Sequence, residues 1–155
     1  MSIRQRILDD LMTALKTGAR QRLDTLRMVK ARIQEAEVAL RATKGLGYEL
    51  GDAETTQVLS SYAKQRRDSI ESFSQAGRAD LAAREEAELA IVQEYLPRQL
   101  DAGALRRLAQ EAIAEAGATA AKDIGKVMKV LMPKVKGTAD GKEVNRVVGE
   151  LLGGG

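Results

Sequence analysis

Apolar residues recur every three or four positions along almost the whole chain of 155 residues, and this period constrains the fold more than any other feature. A period near 3.6 gathers apolar side chains on one face of an α-helix, whereas a half-buried strand alternates at every second residue. No segment of the sequence alternates in that way. The pattern therefore predicts an all-α fold in which amphipathic helices bury one face each.

Glycines, prolines and capping residues divide the pattern into seven predicted helices. Four of them precede Pro97, and short links between them are typical of an antiparallel bundle. Three shorter helices follow, and the last is expected to begin with a D-x-x-E capping box. Their predicted limits are Ser2 to Gly18, about 20–43, a helix capped by Asp52 and stopped at Gly77, a segment ending at Pro97, Asp101 to Gly117, about 119–132 with a break before Pro133, and Asp140 onward.

Pro97 is the predicted domain boundary, because a proline cannot continue the preceding helix. The charge balance also changes there, from ten acids and five bases over residues 48–96 to ten bases and seven acids afterwards. The sequence predicts an N-terminal four-helix bundle-like domain over 1–96 and a small three-helix domain over 97–152. Residues 153–155 are predicted to form a disordered tail.

Cysteine and histidine are both absent, which excludes thiol nucleophiles, Cys/His zinc sites and Ser-His-Asp triads. The sequence also lacks the glycine-rich patterns that bind nucleotide phosphates. We therefore expect no catalytic residues, no metal site and no cofactor. No stretch is apolar enough for a membrane span or a signal peptide, so we expect a cytoplasmic protein without membrane contact. The sequence does not determine the oligomeric state, and we favour a monomer.

The segment from Lys122 to Arg146 has the most distinctive charge. Its seven bases and three acids give a net charge of +4, which exceeds the +3 of the whole chain. Helical geometry predicts that three of its lysines form an outward stripe opposite an apolar face. We predict a nucleic-acid-binding surface here, formed by Lys122, Lys126, Lys129, Lys134, Lys136, Lys142 and Arg146. The alternative is that these side chains only keep a small helical domain in solution.

The start of the last helix could also hold a phosphate, because its first backbone N–H groups have no partner inside the helix. Asp140 argues against such a site, since a capping carboxylate there would repel an anion. We therefore favour lysine side chains over backbone N–H groups as the anion-binding elements.

One arginine and two glutamates interrupt apolar faces in the N-terminal part. Arg66 falls between Tyr62 and Ile70 on the third helix, and Glu85 and Glu88 fall among the leucines of the fourth. Because an unpaired buried charge is costly, we predict that Arg66 pairs with Glu85 or Glu88 and sets the register and orientation of the helices. The competing interpretation is a catalytic arginine–carboxylate cluster, for which no nucleophile or proton shuttle is evident.

Four segments carry a family resemblance. They are TLRMVKARIQEAE (25–37), KQRRDSIESF (64–73), EEAELAIVQEYLPRQL (85–100) and GATAAKDIGKVMKVLMPKVKGTADGKEVN (117–145). In this order they resemble the YqeY family, whose C-terminal part is similar to the tail domain of the GatB subunit of aspartyl/glutamyl-tRNA amidotransferase. The resemblance implies a four-helix part followed by a three-helix tail domain, and tRNA as a partner, because the tail of the amidotransferase contacts tRNA.

Three functions follow as hypotheses. The first is a tRNA-binding accessory module that uses the basic segment. The second is an adaptor that docks on an amidotransferase or aminoacyl-tRNA synthetase through Arg27, Lys30 and Arg41, which share a flank of the second helix. The third is a carbon-nitrogen ligase with glutamine as amido-N-donor, an activity associated with the family. We expect no turnover by this chain alone, because the catalytic body and the amidase subunit of the amidotransferase have no counterpart in it.

Overall fold

The computed structural model describes residues 1–153, and over that range it is all-α, as predicted. It contains seven α-helices and one short 3-10 turn, with no strand in the described range. No helix among these residues has the length and hydropathy needed to cross a bilayer. The helices are α1 (Ile3–Thr17), α2 (Arg20–Lys44), α3 (Asp52–Gln75), α4 (Ala79–Gln93), α5 (Ala102–Ala116), α6 (Ile124–Val135) and α7 (Gly141–Gly153), and the 3-10 turn is Ala121–Asp123.

The helices group into two compact units. The first spans Met1–Leu96 and contains α1 to α4, and the second begins at Pro97 and contains α5 to α7. Each unit has its own hydrophobic core. That each unit folds as an independent domain stays a prediction.

The core of the first unit forms where all four helices contribute apolar side chains. Helix α3 packs most extensively on α4, and α1 packs on α2. The aromatic rings of Tyr62 and Tyr95 are buried at this junction, each only 3% exposed. The buried residues that form this core are Ile7, Leu11, Ala14, Leu23, Leu26, Val29, Ile33, Leu50, Leu59, Tyr62, Ala63, Val92 and Tyr95.

Two predicted caps of the first unit have different outcomes. The Ser2 hydroxyl accepts a hydrogen bond from the N–H of Gln5 at 3.0 Å, which confirms it as the cap of α1. Asp52 was predicted to cap α3, and this prediction is wrong. Asp52 is the first residue of α3, and its carboxylate accepts from the N–H of Ile3 at 2.9 Å, at the start of α1. Tertiary packing brings the two helix starts together, and the sequence around Asp52 contains no sign of that.

The core of the second unit is entirely aliphatic. Helix α5 packs on both α6 and α7, which also pack on each other. Asp101 and Gly117 limit α5 as predicted: the Asp101 carboxylate accepts from the N–H of Ala104 at 2.7 Å, and Gly117 is left-handed. The buried residues are Leu105, Ala109, Ala112, Val127, Leu131, Val135, Val144, Val147 and Val148.

Helix α6 does not break at Met132-Pro133, contrary to prediction. Pro133 lies inside the helix, which continues to Val135, and the N–H of Lys136 still donates to the Met132 carbonyl at 2.9 Å. A proline in the last turn removes only one helical hydrogen bond. Val135 is fully buried and extends the series of Val127 and Leu131 at four-residue intervals, so its burial offsets that loss.

Helix α7 ends at Gly153, the first residue of the predicted disordered tail. Residues 154 and 155, the remainder of that tail, lie outside the described residues.

Candidate nucleic-acid interface

Helix α6 separates apolar and basic side chains onto opposite faces. Val127, Leu131 and Val135 are fully buried, whereas Lys126 and Lys129 are exposed. At ~100° per residue, Lys126, Lys129 and Lys136 fall within about 80° of one another, directly opposite the buried valines. Exposed Lys122 precedes them in the 3-10 turn. We call these four residues the lysine stripe: Lys122, Lys126, Lys129 and Lys136.

The lysine stripe has little counter-charge among the described residues. Lys126 Nζ lies 3.9 Å from Asp123 Oδ1, a loose contact for an ion pair. Within residues 1–153, the other three lysines have no carboxylate within 4 Å. Four lysines beside one carboxylate give this face a net charge of +3. Such an exposed basic face can attract a polyanion.

Asp123 stabilises the turn that precedes α6, next to the lysine stripe. Its carboxylate accepts from the backbone N–H groups of Thr119 at 3.0 Å and Ala120 at 3.3 Å. The hydrogen bond from Thr119 is the main reason that the pKa of Asp123 is lowered, although partial desolvation opposes it. Asp123 therefore stays charged and fixes the turn from which α6 begins.

The remaining three residues of the predicted surface are held differently. Lys134 lies outside the stripe, and its Nζ is 2.8 Å from Glu115 Oε2 on α5. Arg146 pairs with Glu143 and Glu150 on its own helix, and the hydrogen bond with Glu143 raises the pKa of Arg146. Lys142 is exposed in the first turn of α7. The structure therefore divides the seven residues into an outward stripe and three side chains next to acids or at the start of α7.

The first turn of α7 has a carboxylate at its start. Asp140 Oδ1 accepts from the backbone N–H of Lys142 at 3.1 Å. This contact confirms that Asp140 caps the helix. It places negative charge where a phosphate would have to bind, so the stripe is the better anion-binding surface of the second unit.

Several exposed arginines of the second unit were missed by the prediction. Arg98 and Arg107 lie outside the basic segment, and neither makes an ion pair within the described range. Arg106 on α5 has Nη1 3.9 Å from Glu150 Oε2. The charge balance of the unit was the only signal for them, because single arginines on an amphipathic helix form no local pattern.

Arg66 joins α3 to α4 in the first unit. Its Nη1 lies 3.1 Å from one carboxylate oxygen of Glu85 and 3.1 Å from one of Glu88. Its guanidinium carbon lies 4.8 Å from the centre of the Tyr62 ring, within range of a cation–π contact. Burial is the main reason that the pKa of Tyr62 is raised. The role predicted for this cluster, in register and orientation, stays a prediction.

The flank of α2 proposed for adaptor contacts is only partly available. Arg27 is exposed and lies 4.0 Å from Asp24, Lys30 is half-buried, and Arg41 is exposed.

Among the described residues, no group of three or more Asp or Glu side chains is arranged to hold a metal ion.

Comparison with known proteins identifies the family. A family model described as Yqey-like protein matches residues 4–152, nearly the whole chain. The chain belongs to the YqeY family. An uncharacterized protein of the yeast Schizosaccharomyces pombe is similar to this YqeY-family chain. The two are 30% identical over 95 residues, which cover 61% of this chain and 69% of the yeast protein.

Proposed function

We propose that this YqeY-family chain is a tRNA-binding accessory protein and that the lysine stripe is its main RNA contact. The observation that supports the proposal most directly is the placement of Lys122, Lys129 and Lys136, which are exposed and have no carboxylate within 4 Å in the described part of the chain. From Lys126 to Lys136 the stripe extends about 15 Å along α6. It can therefore follow several phosphates of an RNA backbone.

The composition of the second unit indicates how RNA would be recognised. None of the four aromatic residues of the chain lies after Leu96, so the unit has no ring on which a base could stack. Recognition would depend on phosphates and on the shape of a folded RNA. A folded tRNA suits such a surface better than an unstructured single strand.

A salt-dependent titration tests the proposal. Contacts to about four phosphates predict that log K falls against log salt concentration with a slope near −3. Total tRNA should bind more tightly than a double-stranded DNA of similar length. Equal affinity for both would reduce the stripe to a non-specific polyanion surface and contradict the proposal.

Charge reversal locates the contact. Lys126→Glu combined with Lys129→Glu should weaken tRNA binding at least tenfold in low salt. The matched control is Lys16→Glu with Arg20→Glu, which changes the net charge equally at exposed positions of the first unit. The control should bind almost as the parent does. If the α6 double variant binds as tightly as the parent while its helical signal is unchanged, the stripe is not the RNA contact.

The link to amidotransferase chemistry rests on the resemblance to the GatB tail domain. We propose an accessory role beside an amidotransferase or aminoacyl-tRNA synthetase in the cytoplasm, with no reaction catalysed by this chain alone. The absence of histidine and cysteine from the sequence supports this restriction. The purified chain should give no glutamine-dependent amidation of misacylated tRNA, and turnover above a no-protein control would contradict it.

A further inference from the structure

A groove of about 590 Å³ lies between α2 and α3 in the first unit. It falls within the range of volumes usual for ligand sites. Its apolar lining comes from both helices and from the segment that joins them. These residues are Ala36, Leu40, Leu50, Val58 and Tyr62.

One wall of the groove carries three neutral polar side chains at regular spacing. Gln57, Ser61 and Gln65 lie four residues apart on the same face of α3, so they repeat about every 6 Å. We call them the amide ladder. All three are exposed, and none of their side chains makes a hydrogen bond within residues 1–153. Their donors and acceptors are therefore available to a ligand.

The charged side chains of the groove already have partners. Arg32 Nη1 lies 3.1 Å from Glu35 Oε2. The Glu54 carboxylate accepts from the Tyr48 hydroxyl at 2.5 Å and from the Gly51 N–H at 3.1 Å. The hydrogen bond from Tyr48 lowers the pKa of Glu54, which keeps this carboxylate ionised and bound to its own loop. The lining therefore offers a ligand no charged group that lacks a partner in the described structure, which favours an uncharged ligand.

We propose that this groove binds an extended, uncharged peptide segment with apolar side chains at alternate positions. Backbone groups on one edge of an extended chain repeat every two residues, or about 6.6 Å, which nearly matches the amide ladder. Alternate side chains would then enter the apolar floor, as they do when a sheet edge binds a peptide. The amide ladder supplies the hydrogen bonds, and the partly exposed side chains of Ala36, Leu40 and Val58 supply the apolar contact.

The dimensions distinguish an extended chain from a helix. From Glu54 to Gln65 the groove runs about 16 Å along α3, the length of about five extended residues. Its volume of about 590 Å³ divided by that length gives a mean cross-section of about 37 Å², whereas a cylinder as wide as an α-helix with side chains, about 10–12 Å, has a cross-section of about 80–110 Å². This proposal concerns the first unit and does not depend on the RNA contact proposed for the second.

Nuclear magnetic resonance titration of the full chain tests the proposal. The probe is a blocked peptide, acetyl-Ser-Leu-Ser-Leu-Ser-amide, and the comparison peptides carry N-methyl groups on either the serine or the leucine nitrogens. The parent peptide should bind saturably below about 1 mM and shift the resonances of α2 and α3 that line the groove. One N-methylated peptide should lose binding and the other should retain it, because only one edge of an extended chain meets the amide ladder.

Substitutions in the amide ladder distinguish a specific contact from non-specific binding of the peptide. Gln57→Ala with Gln65→Ala should weaken binding of the parent peptide at least fivefold, because two hydrogen bonds are lost. Gln34→Ala with Gln93→Ala, at exposed positions outside the groove, should leave it unchanged. Four results would each overturn the proposal. Two concern the parent peptide: it shows no saturable binding, or it loses affinity equally in both double variants. The other two are equal binding of the two N-methylated peptides and tighter binding of an amphipathic helical peptide.

Discussion

The two units of this chain use charged side chains in different ways. In the first unit, ion pairs cross between helices, and several are partly buried: the side chains of Arg4 and Glu37 are only 19% and 8% exposed. In the second unit the core is aliphatic, and pairs that cross between helices, such as Lys134 with Glu115, are well exposed. Arg4 and Arg66 of the first unit thus contribute to its packing, whereas the lysines of the second unit face solvent. The exposed lysines of the second unit are not part of its core, so their charge is available to a polyanion.

The largest expected effect is on the aliphatic core of the second unit. Leu131 is fully buried, so Leu131→Ala should lower the free energy of unfolding by about 3 kcal/mol, from lost burial and the cavity it leaves. Hydrogen exchange of the full chain in increasing urea measures the loss unit by unit. Leu15→Ala, at a position 48% exposed on α1, is the matched control and should cost much less.

The same measurement tests the domain prediction. If the two units fold independently, Leu131→Ala should reduce the protection of amides in α5 to α7 and leave α1 to α4 unchanged. Equal loss of protection in both units would show one cooperative unit and contradict the predicted boundary at Pro97.

The next effect concerns the buried carboxylate of the first unit. Glu37 Oε1 accepts from Arg4 Nε at 2.7 Å and from the N–H of Leu50 at 3.1 Å. Glu37→Ala leaves both donors without this partner and should cost about 2–3 kcal/mol in urea unfolding. Glu35→Ala, two residues earlier at an exposed position, should change stability by less than about 0.5 kcal/mol. A cost of Glu37→Ala as small as that of Glu35→Ala would show that the pair does not hold the unit together.

The difference in unfolding free energy between the parent and Glu37→Ala should depend on pH, because it depends on the pKa of Glu37. Burial alone would raise that pKa, but the hydrogen bonds from Arg4 and Leu50 outweigh it and lower the pKa below its ordinary value of 4.5. The stabilisation is therefore complete above pH 4.5 and is lost as the pH falls through the lowered value. The gap between parent and Glu37→Ala should shrink when unfolding is measured at progressively lower pH below 4.5.

Glu37 also shows how far the sequence could lead. The helical period predicted the helices and an outward row of Lys122, Lys126 and Lys129, because those features depend on residues near one another in the chain. An acid between Ile33 and Leu40 was a visible exception to the apolar face of α2, like Arg66 on α3. The partners of Arg66 lie on the next helix, whereas Arg4 lies 33 residues from Glu37, and no local rule connects them.

The groove between α2 and α3 was beyond prediction for a related reason. The positions of Gln57, Ser61 and Gln65 along one face of α3 could be deduced from the sequence, but not that α2 leaves space beside them. Likewise, the hydrogen bond that the Asp52 carboxylate accepts from the N–H of Ile3 depends on tertiary packing, and so does the continuation of α6 past Pro133. Local sequence patterns predict which side chains share a face of a helix. Contacts between distant segments determine which part of the structure packs against that face.

The cluster around Arg66 should show a smaller effect than Glu37, because its side chain is 21% exposed. Arg66→Met leaves Glu85 and Glu88 without their shared cation and should cost about 1–2 kcal/mol. Replacing all three side chains with methionine should recover most of that loss, since the two carboxylates are removed with the arginine. Urea unfolding of the single and triple variants makes the comparison. A triple variant as unstable as Arg66→Met would mean that the ion pairs themselves stabilise the unit.

The smallest expected change in stability is at the lysine stripe. A triple variant should alter the free energy of unfolding by less than about 0.5 kcal/mol if it combines Lys122→Gln, Lys129→Gln and Lys136→Gln. The reason is that no carboxylate lies within 4 Å of these three side chains in the described structure. Lys122 precedes α6 and Lys136 follows it, so their interactions with the helix dipole have opposite signs and largely cancel.

Urea unfolding at low and high salt measures this triple variant against the parent. A loss above about 1 kcal/mol would show that the stripe helps to hold the second unit together, and reduced RNA binding by stripe variants could then reflect unfolding. A loss within the expected limit, with the same small value at both salt concentrations, would mean that these lysines are not required for the fold. Their charge would then be available for contact with a partner, which is the property that separates the second unit from the first.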